Sequence, residues 1–259
     1  MAKRKQGIVK DFKSKYIKIQ PWYFVVCSKM TKFIHDMKIF ELPKLKRESI
    51  NGTRYYFSED GGKYPSVTSV INPFSFPVEK RKAWIQNSFG GDERKAQEYT
   101  NKAGFRGTKV HSICEAYLKN KADYAENHDQ KHMDLFNKIQ AVLDKSINNI
   151  KSQEERLYSK KMGVAGTVDC IANFDGKLSV IDFKTKSRPT TKKFTEWHFV
   201  QCAAYANMWE EWTNIPIEQF VILVIPEAGE SQALIENSIE TKDQRLSMLQ
   251  TAINSFYNN

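Results

Sequence analysis

AGTVDCIANFDGKLSVIDFKTK, residues 165–186, decides how the rest of this chain folds. Two β-forming runs, Ala165–Phe174 and Lys177–Thr185, flank Asp175-Gly176, the dipeptide suited to a two-residue hairpin whose central residues need positive φ. Alternation along the second strand puts Leu178, Val180, Asp182 and Lys184 on one face and Ile181 and Phe183 on the other. Across the hairpin, Asp169 brings a second carboxylate toward Asp182. Two acids and a lysine over an apolar sheet are costly unless they pair or hold a cation. A plain Asp182–Lys184 ion pair on an exposed strand is the alternative that this stretch leaves open.

Downstream, Arg188 to Lys193 reads as a polar loop and FTEWHFVQCAAYANMWEEWTN, residues 194–214, as a long helix. Val200, Ala203, Ala204, Asn207 and Met208 face inward there, and Gln201 and Tyr205 sit one turn apart. Ile217 to Ile225, bounded by Pro216 and Pro226, contains an unbroken apolar run, as expected of a strand covered on both faces. An edge strand over 230–238 and a closing helix over 242–256 follow. Upstream, Glu154 to Met162 reads as the first strand of the sheet, with Glu154 and Glu155 facing solvent. Met133 to Ile150 reads as an amphipathic helix, and Lys121 to Gln130 as a loop. After glycine breaks at 104 and 107, Val110, Ile113, Cys114, Tyr117 and Leu118 form a core-facing helical stripe, with His111 and Glu115 four apart at its margin.

The earlier part of the chain is less regular. Asn51-Gly52 and Gly61-Gly62 bracket a small β-hairpin, Ser66 or Thr68 caps the segment after Pro65, and Asn72-Pro73 with Pro77 stops it. Residues 80–99 are helical in composition and broken at Gly90-Gly91. Lys80, Arg81, Lys82, Arg94 and Lys95 interleave there with Trp84 and Phe89, a mixture that suits single-stranded nucleic acid and equally suits a solvated helical pair with its aromatics inside. Residues 22–40 fit either an amphipathic helix or a strand–turn–helix. The start is either a disordered basic segment running into a short strand or helix or a nucleic-acid-contacting arm, and it is lysine-rich where a transit peptide is rich in arginine and serine. Three regions follow: 1–40, a basic N-terminal extension; 41–106, a β-hairpin with a helical arch or clamp; and 107–259, the core with its C-terminal helix.

With 259 residues and 41% hydrophobic content the chain can build a sizeable core. Forty Lys and Arg against thirty Asp and Glu give a net charge of +10, spread along the chain rather than gathered in a tail, which favours a basic groove and an anionic partner. Cys27, Cys114, Cys170 and Cys202 stand far apart without a CxxC pair, as in neither a zinc site nor a disulfide scaffold, and imply a reducing compartment. The apolar run from Trp22 to Cys27 is too short to span a membrane.

GTVD at 166–169, DFKTK at 182–186 and the QxxxY pair Gln201 and Tyr205 together resemble the PD-(D/E)XK nuclease superfamily, in its RecB-like exonuclease branch. GTKVHSICEAYL, residues 107–118, resembles that branch's upstream helix with its metal-binding histidine. YPSVTSVI, residues 64–71, is similar to the mitochondrial genome maintenance exonucleases and their bacteriophage relatives. The resemblance covers roughly residues 55–225. It implies an α/β (α+β) fold, with a restriction-endonuclease-like αβββαβ core, a central mixed sheet flanked by helices, and an N-terminal β-hairpin and helical extension. It also implies a Mg2+- or Mn2+-dependent deoxyribonuclease, an exonuclease hydrolysing phosphodiester bonds at single-stranded DNA ends or flaps in replication, recombination or repair.

In that likeness His111, Asp169, Asp182 and the carbonyl of Phe183 hold the metal, and Lys184 orients or deprotonates the attacking water. Glu115 assists through a water or behind His111, while Gln201 and Tyr205 hold the substrate phosphate or the site geometry. Lys80, Arg81, Lys82, Trp84, Arg94, Lys95 and Arg106 are the expected DNA contacts. Some relatives carry an iron-sulfur cluster on four cysteines; the spacing here does not match theirs, so none is expected. The protein is expected to be a monomer away from membranes, in the cytoplasm of a bacterium or phage-infected cell, with mitochondria as the alternative. A non-catalytic nucleic-acid-binding module and a sequence-specific endonuclease are the competing functions, and His111 with QxxxY speaks against the latter.

Overall fold

The structure, a computed structural model, describes residues 32–36 and 41–258. The readings of the basic start and of most of the 22–40 pattern lie outside the described residues. A small antiparallel sheet comes first: β1 (Leu45–Ile50), β2 (Thr53–Ser58) and β3 (Lys63–Pro65). Asn51 and Gly52, at φ 49° and 78°, close the first hairpin as their dipeptide signals. Helix α1 (Val67–Ser75) starts at Ser66, whose hydroxyl accepts from the Ser69 N–H at 3.0 Å. Pro73 does not stop it: the proline lies inside the helix, which ends two residues later.

Helix α2 (Val78–Phe89) ends on Gly90 in the left-handed conformation, where the expected break falls. Helix α3 (Glu93–Leu118) then runs unbroken for 26 residues. The breaks expected at Gly104 and Gly107 are therefore absent, and the boundary drawn at 106/107 falls inside a continuous helix. Two interior glycines cost about 1 kcal/mol each, less than the tertiary packing of the buried Val110–Leu118 stripe returns. At Gly107 α3 lies against the end of β6, where a Cβ would meet the Thr185 hydroxyl in ordinary contact at 3.4 Å.

Helix α4 (Gln130–Ser146) hands over directly to β4 (Ile147–Ser159), so Ile147 and Ile150 belong to the strand rather than to the helix read from their spacing. Then come β5 (Val164–Phe174), β6 (Lys177–Lys186), a short 3-10 turn (Lys192–Thr195), α5 (Glu196–Thr213), β7 (Gln219–Pro226), β8 (Gln232–Asn237) and α6 (Ser238–Asn258). The second sheet has the order β4-β5-β6-β7-β8, antiparallel except between β6 and β7. A parallel pair needs a long crossover, and α5 supplies it. Helices α3 and α4 cover one face with Ile181 and Phe183, while α1, α5 and α6 cover the other with Leu178 and Val180. The expected mixed αβββαβ core is thus present, with β7 buried along its whole length. Helix α5 is buried nearly all round and leaves Asn207 partly exposed, which corrects its inward placement.

Candidate active site

The site forms where β5 turns over. Val164 and Val168 pack on the α5 side, whereas Cys170, Ala172 and Phe174 pack against α3 and α4, so strict alternation breaks at Asp169. The partner strand is distorted at the same level. Glu154 has φ 52°, a conformation rare for a residue with a side chain, and it lies between the Gln153–Cys170 and Glu155–Val168 pairs, opposite Asp169. Two carboxylates facing each other across an antiparallel pair repel unless something positive lies between them. His111, reaching down from α3, completes the group: Nδ1 is 3.5 Å from Asp169 Oδ2, and one ligand atom from each of His111, Glu154 and Asp169 lies within 4.8 Å of the others. Imidazole nitrogen and two carboxylates suit a divalent ion such as magnesium or manganese.

Glu154 is a solvent-exposed strand residue, as the sequence suggests, but its place beside Asp169 and His111 is what sequence reasoning misses. The desolvating cleft, with the charges of Asp169 and Glu115 alongside, pushes its carboxyl up to about 7, although solvent still reaches it. Counting back from the tight turn that pairs Ser159 with Val164 would have placed it opposite Asp169. Folded, metal-free protein keeps a proton on Glu154 to about pH 7, whereas the unfolded chain releases it near the ordinary carboxylate value, so stability falls as pH rises across that window. Relative to a Glu154→Gln variant, wild-type protein in EDTA is expected to lose on the order of a few degrees of melting temperature between pH 5 and 7.5. The same variant is expected to bind Mn2+ about tenfold or more weakly by calorimetry.

Beside this cluster lies the Asp182–Lys184 pair. Asp182 is 1% exposed. Its Oδ1 accepts from Lys184 Nζ at 2.6 Å and from Gln201 Nε2 at 3.1 Å, and its Oδ2, also 2.6 Å from Nζ, has no hydrogen bond of good geometry. Burial raises the Asp182 carboxyl, with Lys184 pulling it back; burial alone would discharge Lys184, but the carboxylates of Asp182 and Asp169 outweigh it and keep the ammonium charged. Asp169 is fixed in turn by the Phe183 N–H, which donates to Oδ2 at 2.9 Å. Gln201 also donates to the Tyr205 hydroxyl at 3.3 Å, and Tyr205 packs against Gly166, so GTVD and QxxxY meet in space. Residues 80–256 of this chain, more than half of it, match the PD-(D/E)XK nuclease superfamily.

The chain belongs to the PD-(D/E)XK nuclease superfamily. It is similar to mitochondrial genome maintenance exonuclease 1 of Homo sapiens, 28% identical over 159 residues, which are 58% of this chain and 45% of the human protein. The Mus musculus protein of the same name is 27% identical over 130 residues, 48% and 38% of the two chains. The chain thus spans less than half the length of these curated relatives. A solved protein from Eubacterium rectale shares 15% identity over 59% of this chain at a TM-score of 0.39, a likeness too loose to bear on the site.

Within this PD-(D/E)XK core the expected residues divide. His111 and Asp169 come together with the added Glu154. Asp182, Lys184, Gln201 and Tyr205 form the adjoining network, in which Gln201 positions Asp182. Glu115 lines the same cleft but pairs with Lys119 along α3 rather than with His111. The cleft holds about 440 Å³, and Tyr56 closes part of it from β2, its hydroxyl 2.9 Å from that of Thr167. The residues expected to contact DNA lie on α2 and α3. Lys80 and Lys82 are exposed and Arg81 is half-buried. Arg94 pairs with Glu98 and Lys95 with Asp92. Trp84 stacks edge-on with Phe89 at 5.0 Å and touches Phe76 and Tyr99, a small core of the helical hairpin. Arg106 is largely covered and pairs with Glu227 at 2.7 Å. Cys114, Cys170 and Cys202 are buried free thiols, with burial raising each well above its ordinary value.

Proposed function

We propose that this chain is a divalent-metal-dependent exonuclease acting on the ends of single-stranded DNA. The observation that carries the reading is the convergence of His111, Glu154 and Asp169 in one cleft, whose wall residue Gln201 holds the buried, Lys184-paired Asp182. Magnesium or manganese held by the first three groups, with Asp182 as the adjoining carboxylate, would polarise the scissile phosphate and lower the pKa of a coordinated water. The protein's own part is positioning. Gln201 fixes one oxygen of Asp182, the Phe183 N–H fixes one of Asp169, and Lys184 keeps an ammonium over the same spot, where it can orient water or hold a phosphate oxygen. Glu154 and Asp169, with Asp182 adjoining, repel a phosphodiester on their own, so the reading requires the cation for the scissile phosphate to dock at this point as well as for hydrolysis, while the rest of the strand can bind the basic surface without it. The net charge of +10 and the basic outer faces of α2 and α3 favour a polyanion, and the curated relatives are named as exonucleases.

No helix among the described residues is long and apolar enough to cross a membrane. On this reading the protein works where free DNA ends arise, with the cytoplasm as the setting favoured by the sequence and mitochondria as the setting named for the relatives. The test uses linear single-stranded, circular single-stranded and duplex DNA of one sequence, with Mg2+ and with EDTA. Mononucleotide or short-oligonucleotide release from the linear strand alone, stopped by EDTA, is expected. Cutting of the circle would make the enzyme an endonuclease, and tight, salt-sensitive binding of all three without cleavage would make it a binding module.

A further inference from the structure

The row of β6 side chains that faces α5 does not end at Lys184. Lys186 follows two residues on, about 6.6 Å further along the strand, a step comparable with the spacing of successive phosphates in an extended nucleic-acid strand. Helix α5 crosses this row so that Gln201 meets Asp182 and His198, about one turn earlier, meets Lys186, with Nζ and Nε2 3.4 Å apart. Unlike Lys184, half-buried Lys186 makes no ion pair among the described residues. Burial and the neighbouring Lys184 loosen its hold on its proton, and burial with both lysines keeps His198 neutral. A cation and an imidazole therefore face each other here with Asp182 felt only at a distance and no carboxylate among the described residues within ion-pair reach.

Next to them, the 3-10 turn leading into α5 presents Lys192 and Lys193 on the surface together with Phe194, which is 78% exposed and has no ring partner among the described residues. An exposed aromatic beside lysines is the pairing that binds unpaired bases, the ring stacking while the cations meet the backbone. None of these residues belongs to the metal cluster or to the basic faces of α2 and α3.

Resting on the nuclease reading above, we propose that Lys186 and His198 form a second phosphate subsite that holds the phosphate adjoining the scissile one, with Phe194 as the stacking surface for the neighbouring base and Lys192 and Lys193 at the rim. The strand then leaves the acidic cluster along β6 toward the start of α5, and its unpaired bases are a condition of binding.

The test measures fluorescence anisotropy of a short labelled single-stranded DNA in EDTA over a salt series, alongside its degradation in Mg2+. Lys186→Gln is expected to bind roughly tenfold more weakly and to flatten the slope of log affinity against log salt by about 0.7, one phosphate contact on a single strand. Phe194→Ala is expected to lose roughly fivefold to a hundredfold in affinity with its salt slope unchanged. His198→Gln serves as the second variant should Lys186→Gln lower the melting temperature, and is expected to raise KM more than it lowers kcat. Unchanged affinity and slope in Lys186→Gln and His198→Gln, with wild-type cleavage intact, would overturn the subsite alone. Failure of the wild-type protein both to bind and to cut the strand would overturn the nuclease reading and the subsite with it.

Discussion

The Asp182→Asn variant is expected to hydrolyse DNA about a thousandfold or more slowly than wild type while melting within a few degrees of it. The two halves of that result come from the same geometry. Asp182 is almost fully buried, and burial disfavours its charge, so the carboxylate is held at a cost to the metal-free fold. Asparagine keeps an oxygen to accept from Lys184 and Gln201 and removes the buried charge, while the Asp169 carboxylate still acts on the Lys184 ammonium. Stability therefore changes little. On the proposed function activity cannot follow the same course, because the negative charge that would adjoin the cation and that pairs the Lys184 ammonium has gone. Lys184→Ala is expected to lose about a hundredfold to ten-thousandfold in rate, the range for a positioned proton-transfer group. Single-turnover degradation of a labelled strand at saturating Mg2+, with thermal melts in parallel, checks both variants. An Asp182→Asn protein with near-wild-type turnover would remove this pair from the chemistry.

Gly166→Ala is expected to be the most damaging small substitution in the core. A Cβ at this position would sit 2.5 Å from the Tyr205 ring and 2.7 Å from its hydroxyl, with strand backbone on one side and a fully packed helix on the other. Overpacking of this kind costs about 1–3 kcal/mol, or roughly 3–10 °C of melting temperature in a chain of this size. The displaced ring carries Gln201 with it, and Gln201 positions Asp182, so kcat is expected to fall further than KM rises. Gly104→Ala is the control. Nothing lies within 4 Å of its Cβ, the position is inside α3, and the substitution is expected to stabilise by up to about 1 kcal/mol. Equal effects of the two substitutions would mean that the glycine of GTVD has no role in seating Tyr205.

The hairpin around Asp175-Gly176, the buried β7 and the α5 crossover were legible because each is set by a local rule: a turn dipeptide, an unbroken apolar run, a helical stripe. His111, Asp169, Asp182, Lys184, Gln201 and Tyr205 were legible because their motifs fall in order along the chain, and the fold brings them together. The place of Glu154 in the cluster was not legible from its own neighbours, because it depends on a left-handed backbone and on a β4–β5 register that only the turn between Ser159 and Val164 carries. The α4–β4 junction was misplaced for a related reason, since Ile147 and Ile150 satisfy a helical spacing while their backbone is extended. Gly104 and Gly107 misled in the opposite sense, as long-range packing overrode a weak local propensity. Composition left Trp84 open between a DNA contact and an internal aromatic, and the structure adds that its ring meets Phe89 while Arg106 pairs with Glu227 just after β7.

The central claim is a divalent cation held where β5 turns over. Crystals grown with Mn2+ and read by anomalous scattering test it most directly. The expected result is a peak bounded by His111, Glu154 and Asp169, and its loss in Glu154→Gln with Asp169→Asn. No ion at these side chains at millimolar Mn2+, or an ion held elsewhere while His111→Ala retains full Mn2+-dependent cleavage, would contradict it.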